Sequence, residues 1–124
     1  MAIFHFEFER IHPFRDGNGR TGRTILDYML RINGYPPIYI TTNERENYLK
    51  ALTECSFNSN YTPLIDFIID RMSATYTYLL AKSPMRNIVK SDEYRNFFST
   101  EFDLEIYDKT IQRVDYYAKT DEDP

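Results

Sequence analysis

His12-Pro13-Phe14-Arg15-Asp16-Gly17-Asn18-Gly19-Arg20-Thr21-Gly22-Arg23 packs a base, an acid, glycines and arginines more tightly than any other stretch of this chain. It also decides the fold. Gly17-Asn18-Gly19 lies where a loop must turn into a helix, because glycine tolerates positive φ and close backbone approach. A helix is predicted from about Gly19 to Asn33, with Ile25, Leu26, Met29 and Leu30 on one face by spacing. Asn33-Gly34, followed by Pro36 and Pro37, is its stop signal.

The same residues predict chemistry. The first N–H groups of a helix have no intrahelical partner, and with the helix dipole they form an anion site. Arg20 and Arg23, three apart, share a face of the first turns. Cations there oppose the dipole, so an anion is expected between them, and the arginine fork suits phosphate oxygens. Asp16 would repel that anion unless a cation bridges the two; Mg²⁺ commonly binds one or two carboxylates plus substrate phosphates. His12, with an ordinary pKa near 6.5, could take a proton from an attacking hydroxyl. Phe14, between polar positions, is expected to anchor the loop to the core. The parts suggest transfer at phosphorus, with His12 as base, Gly17, Asn18, Gly19, Arg20 and Arg23 holding phosphate, and Asp16 holding Mg²⁺. Taken singly, each element has a plainer reading: a structural histidine, a turn, a solvated Arg-x-x-Arg face. Their joint order is what is specific.

Working outward, residues 2–10 read as the last turns of a helix through Phe4, Phe8 and Ile11, although Phe4, Phe6 and Phe8 equally fit a strand. Residues 38–41 form a short extended piece. A further helix is expected after Thr42 or Asn43 with Tyr48, Leu49, Leu52 and Cys55 inward, then a polar turn from Ser56 to Tyr61. Thr62-Pro63 pairs a cap with a proline at the first helical position. The helix that follows is expected to bury Ile65, Ile68, Ile69, Met72, Tyr76, Leu79 and Leu80, with Pro84 limiting it. Ser91 is a cap for a short helix, and residues 103–118 are one more. The class is all-α.

Composition narrows the function. A chain of 124 residues predicts one domain, and 42% hydrophobic content is ordinary for a globular core. A net charge of -4 argues against a dedicated nucleic-acid binder, whose footprint is a basic patch. Residues 1–99 are balanced, with 12 Lys+Arg against 11 Asp+Glu, whereas residues 100–124 carry 3 against 8. The end, Thr120-Asp121-Glu122-Asp123-Pro124, is therefore expected to be solvated and partly disordered. The single Cys55 forms no internal disulfide, and no apolar run approaches the ~20 residues of a membrane span. With no signal-peptide pattern at the start, a cytoplasmic location without membrane contact is expected. There is no Gly-x-x-x-x-Gly-Lys-Ser/Thr loop, no zinc spacing from His5 and His12, and no credible serine triad. A nucleotide pocket needs walls on more than one side, and little chain precedes His12, so a larger or shortened protein is expected.

The block from His12 to Arg23 resembles the signature of Fic-domain proteins, His-x-Phe-x-Asp/Glu-Gly-Asn-Gly-Arg-x-x-Arg, at every defined position. Phe8-Glu9-Arg10-Ile11, Gly34-Tyr35-Pro36-Pro37, Glu44-Arg45-Glu46-Asn47-Tyr48 and Tyr61-Thr62-Pro63-Leu64-Ile65 look like further family landmarks, covering about residues 3–82. The resemblance implies a Fic-type helical bundle and transfer of a nucleoside monophosphate, usually AMP from Mg·ATP, to a Ser, Thr or Tyr hydroxyl of a target protein. It makes His12 the base, Asp16 the Mg²⁺ ligand, Gly17, Asn18 and Gly19 the phosphate loop, and Arg20 and Arg23 the phosphate-facing arginines. Tyr48 and Asn58 would sit on the adenine side. Arg23 would also be the arginine that an inhibitory glutamate engages in regulated members.

The departures shape the remaining expectations. Family members usually carry a β-hairpin flap upstream of the motif; here residues 1–83 are expected to be the C-terminal part of a Fic domain without that flap. Residues 84–124 are expected to be a helical, acidic and partly disordered C-terminal extension. Thr42-Asn43-Glu44-Arg45-Glu46-Asn47 matches the inhibitory Ser/Thr-x-x-x-Glu-Gly/Asn pattern formally but overlaps an ordinary scaffold helix, so any regulation is expected from another segment or an antitoxin-like partner. Two competing readings stand beside AMP transfer: a catalytically silent nucleotide-binding fragment, and a relative transferring UMP, phosphocholine or phosphate. The intact Gly-Asn-Gly favours nucleotidyl transfer, because the family's kinase-like branch alters this loop.

Overall fold

The computed structural model describes every residue except Phe102, and its described residues are helical with no strand. The order is α1 Ala2–Ile11, α2 Asn18–Ile32, a 3₁₀ turn Thr42–Glu44, α3 Arg45–Asn58, α4 Thr62–Ala81, α5 Met85–Val89, α6 Asp92–Glu101 and α7 Leu104–Lys119. No helix among the described residues is long and apolar enough to cross a membrane. Two compact units divide the chain, residues 1–72 and 73–124.

The first unit holds the motif. The stop signal of α2 works as its residues dictate: Gly34 adopts φ +80°, its N–H donates to Arg31 O at 3.1 Å, and Tyr35 N–H donates to Leu30 O at 2.9 Å. This is the paired closure that satisfies the last carbonyls of a helix. Leu26 and Leu30 are 1% exposed and pack with Phe6, Tyr48, Ala51, Cys55, Leu64, Phe67 and Ile68 into one core. Ile38 and Ile40 of the extended piece pack on its edge. The Ile38 N–H donates to Asp27 Oδ1 at 3.3 Å, pinning that piece to α2.

Several faces differ from their sequence pattern. In α1 the buried positions are His5 and Phe6, whereas Phe4 and Ile11 are exposed. The pattern counted apolar residues only, and the stripe that faces α2 takes a histidine because polar partners await it there. In α3, Leu49 is exposed and Ala51 takes its inward place beside Tyr48 and Cys55. That helix continues to Asn58, so Ser56, Phe57 and Asn58 are helical rather than turn, and Ser59 closes it at φ 49°. In α4 the buried face runs through Leu64, Phe67, Ile68, Arg71, Ala74 and Thr75, while Ile65, Ile69, Tyr76 and Leu79 are exposed. Both sets have helical spacing, and polar Arg71 and Thr75 hid the true one. Arg71 meets Asp70 Oδ2 at 2.7 Å and Glu44 Oε1 at 3.7 Å, which balances its buried charge. Phe14 is 52% exposed, with its ring centroid 6.4 Å from that of Phe8, so it does not anchor the loop in the core.

The second unit is organised around Ala81, Val114 and Tyr117. Ser91 caps α6 as its sequence suggests, accepting from Tyr94 N–H at 3.2 Å, and Asp103 caps α7 by accepting from Glu105 N–H at 2.8 Å. Tyr107 is buried among the rings of Tyr94 and Phe98 and donates its hydroxyl to Val89 O at 2.6 Å.

Candidate active site

α1 ends at His12, which is in the left-handed region at φ 52°, ψ 59°, its N–H donating to Phe8 O at 3.1 Å. The conformation costs a non-glycine residue of order 1 kcal/mol or more, and it turns the chain sharply out of the helix. Pro13 follows, which disfavours a helical His12 in any case. The imidazole is exposed at the mouth of the loop.

Gly17 is the N-cap of α2 at φ +77°, with no side chain to occupy the helix end. Thr21 N–H returns to Gly17 O at 2.9 Å, closing the first turn. The amides of Asn18, Gly19 and Arg20 precede that first bond and face out of the helix end, where the dipole favours an anion. The Asn18 side chain does something different. It is 2% exposed, its Oδ1 accepts from Phe14 N–H at 2.9 Å and its Nδ2 donates to Phe14 O at 2.6 Å. Asn18 thus staples the loop into shape, leaving its amide, rather than its side chain, for a ligand.

Asp16 stands outside that staple with its side chain 95% exposed. Its Oδ1 accepts from Gly17 N–H at 2.8 Å, and Oδ2 lies 3.8 Å from Arg20 Nη2. Arg20 is exposed, and Arg23 is half-buried. Its guanidinium lies over Gly19, where an added Cβ would meet Nη1 at 3.0 Å, so a side chain at 19 would crowd it. Arg23 stands between two cavities. One, of about 360 Å³, is lined by Glu9, His12, Gly19, Arg23, Thr41, Thr42, Arg45 and Tyr48 among others. The other, of about 430 Å³, is lined by Arg20, Arg23, Thr24 and Asp27 with Ile38, Tyr39 and Ile40 among others. His12, Gly19, Arg20 and Arg23 are therefore gathered around one helix end, with Asp16 on its rim.

Residues 1–30 match the family model described as Fic/DOC. Over that segment the chain is similar to Fic/DOC proteins. It is 36% identical over 89 residues to a protein named Protein adenylyltransferase Fic from Aedes aegypti, and 36% identical over 85 residues to proteins of the same name from Drosophila grimshawi and Drosophila melanogaster. These alignments cover 71% and 68% of this chain, which spans only 18% and 17% of the relatives' length. No solved structure gives a significant match.

Behind the His12–Arg23 motif lies a polar layer built from side chains outside it. His5 is 1% exposed; its Nδ1 lies 3.3 Å from Gly22 O and its Nε2 2.7 Å from Tyr48 Oη. Glu9 tucks against Gly22, where an added Cβ would meet its Oε1 at 2.2 Å. That Oε1 is buried without a hydrogen-bond partner among the described residues. Burial pushes the Glu9 carboxyl up, opposed by the positive charges of Arg23 and His12. The signal for this layer was present in the sequence: His5 and Glu9 stand four apart, on one face of α1. Asn58, by contrast, is exposed and donates to Glu54 Oε2 at 2.9 Å.

Burial pushes the His5 pKa below 6.5, outweighing its bond to Gly22, and Arg23 lowers it further. A histidine depressed in the folded state contributes stability that is present above 6.5 and lost as pH falls. Glu9, raised from 4.5, acts in the opposite sense, since its ionisation above that value weakens the fold. The expected result is that thermal unfolding of the chain moves to lower temperature between about pH 7 and 5, and that His5→Gln flattens this slope. An unchanged slope in the variant would remove His5 as its source.

Proposed function

We propose that this chain supplies the nucleotide-handling centre of a protein adenylyltransferase, moving AMP from Mg·ATP to a Ser, Thr or Tyr hydroxyl of a target protein. The observation that carries the reading is the uncapped, glycine-bordered N-terminus of α2, with Arg20 and Arg23 beside it and His12 exposed at its mouth. An uncapped helix end flanked by two arginines is built for an anion of high charge.

In this reading the triphosphate lies along the amides of Asn18, Gly19 and Arg20. The arginines hold its outer oxygens. The target hydroxyl attacks the α-phosphorus and gives its proton to the imidazole of His12. The bond from the α-phosphorus to the bridging oxygen breaks, and pyrophosphate leaves with that electron pair. Asp16 is the residue that would hold Mg²⁺, since it offers hard carboxylate oxygens on the rim of the helix end. When bound, the cation supplies charge neutralisation on the phosphates. In this reading Asp16 is the one carboxylate that the protein contributes to such a site. That fits a cation held mainly by the substrate's own phosphates and water.

Residues 1–83 are read as the C-terminal part of the Fic domain and residues 84–124 as a helical extension. Regulation is assigned to another segment or a partner, not to Glu46, whose carboxylate is exposed and paired with Lys50 at 2.8 Å. The test is transfer of label from α-labelled ATP to protein, in competition with unlabelled UTP, CTP and GTP. Label on protein that ATP alone suppresses supports the reading. Suppression by another nucleotide changes the donor. Binding of Mg·ATP with no label on any protein, in a form spanning the relatives' length, replaces it with the silent nucleotide-binding module.

A further inference from the structure

Residues 38–41, Ile-Tyr-Ile-Thr, are all β-branched or aromatic, the residue types that favour strands, in a chain whose described residues form no strand. The structure holds them extended. Ile38 and Ile40 pack on the core, Tyr39 between them is exposed, and Thr41 adopts φ −74°, ψ 168°. Edges that must not pair are commonly blunted by a charge or a proline, and these four residues include neither.

In an extended chain the N–H and C=O of one residue point to the same edge, and those of the next residue point to the opposite edge. The Ile38 N–H donates to Asp27 Oδ1 of α2 at 3.3 Å, so the main-chain groups of Ile38 and Ile40 are on the edge that faces α2. Among the described residues, the Ile38 carbonyl and both main-chain groups of Ile40 form no hydrogen bond. Between this segment and α2 lies the cavity of about 430 Å³, whose other wall carries Arg20, Arg23 and Thr24. The chain then continues into the second cavity, where Thr41 and Thr42 stand with His12.

We propose that this edge is a docking strand for an extended segment of the target protein. The segment lies between residues 38–40 and α2, exchanges both main-chain bonds with Ile40 and donates an N–H to the Ile38 carbonyl. Main-chain pairing gives such a segment its affinity and tolerates many sequences. The cleft also selects its occupant. In a second copy of this chain the same edge faces its own α2, so two copies cannot pair edge to edge without leaving their own cores. A separate extended segment has no such obstacle. Laid along this edge, it passes Arg23 and carries a hydroxyl a few residues further on, at about 3.3 Å per residue, toward the cavity that His12 lines. The inference rests on the proposed function in taking that hydroxyl to be the acceptor of AMP.

The test uses the ¹⁵N-labelled 124-residue chain and the capped peptide acetyl-Glu-Val-Thr-Val-Glu-amide. Two twins of the peptide are N-methylated, one on both valines, the other on the threonine and the second glutamate. Each twin blocks one edge of the peptide and leaves the other free. The parent peptide is expected to move the Ile40 amide signal downfield and slow its hydrogen exchange. One twin should do the same, and the other should bind roughly 10-fold more weakly or worse, since it loses one or two hydrogen bonds. Ile40→Pro removes the protein's own donor and is expected to weaken the parent peptide roughly 3–10-fold. If that variant does not fold, the twins carry the test with the protein unaltered. Equal loss by both twins, loss by neither, or an Ile40 amide that the peptide leaves unmoved overturns the proposal. An Ile40 signal that follows protein concentration instead of peptide also overturns it and assigns the edge to a second copy. Edge-specific pairing, with no label passing from α-labelled ATP to any protein or peptide in a form spanning the relatives' length, sinks the transfer reading and leaves a peptide-binding strand. Label on protein with Ile40 unmoved does the reverse.

Discussion

Replacing His12 by alanine is expected to lower AMP transfer from Mg·ATP by about 10²–10⁴-fold, the usual contribution of a positioned general base. The fold should barely respond. The imidazole is exposed, and α1 keeps its terminal bond from residue 12 N–H to Phe8 O. The backbone conformation is the complication, because alanine is strained at φ 52°. His12→Asn removes the base as well but tolerates the left-handed region, so it separates chemistry from strain. Both variants should bind Mg·ATP as the parent does, since the phosphate contacts proposed above belong to α2 and its arginines. Transfer is followed with α-labelled ATP and binding by calorimetry. Parent-level transfer by His12→Asn would exclude His12 as the base; loss of binding in step with transfer would make it a binding residue instead.

Asn18→Ala should be nearly as damaging for a different reason. The motif suggests a side chain that touches phosphate, but the structure commits that side chain to both polar groups of Phe14, at 2.9 and 2.6 Å. Alanine leaves a backbone donor and an acceptor in a half-buried loop without partners, at about 1–3 kcal/mol for such a loss. Unlike His12→Ala, this variant should melt at a lower temperature. It should also lose ATP affinity and transfer together, because the loop that aims the α2 amides is no longer held, and misplacement near 1 Å costs about 10²-fold. Asn18→Asp gives a sharper test: it keeps the acceptor for Phe14 N–H but sets a carboxylate against Phe14 O. Thermal melts and ATP titrations of both variants decide the matter. A stable Asn18→Ala with lost ATP affinity would return the side chain to direct phosphate contact.

The two variants mark where the sequence was legible. The loop, the start of α2 and its Gly34 stop are local matters, written in glycine placement and in orphaned helix-end groups, and all three stand where the residues put them. The helical class is equally local. The gathering of His12, Gly19, Arg20 and Arg23 at one helix end follows from twelve consecutive residues and needs no distant partner.

What the sequence left open are choices of face. An amphipathic helix with two apolar stripes does not say which stripe meets its neighbours. α4 buries Leu64, Phe67 and Ile68 and exposes Ile65 and Ile69, and only the packing of Leu26, Tyr48 and Cys55 against it decides between them. His5 was likewise a lone histidine until Tyr48, 43 residues away in sequence, closed on it at 2.7 Å. Local periodicity, caps and glycines determined that this chain is helical and where α2 begins, because those depend on neighbours along the backbone. Which side chains stand behind that helix was decided only by tertiary structure, because a buried polar group takes its partner from whatever element packs against it.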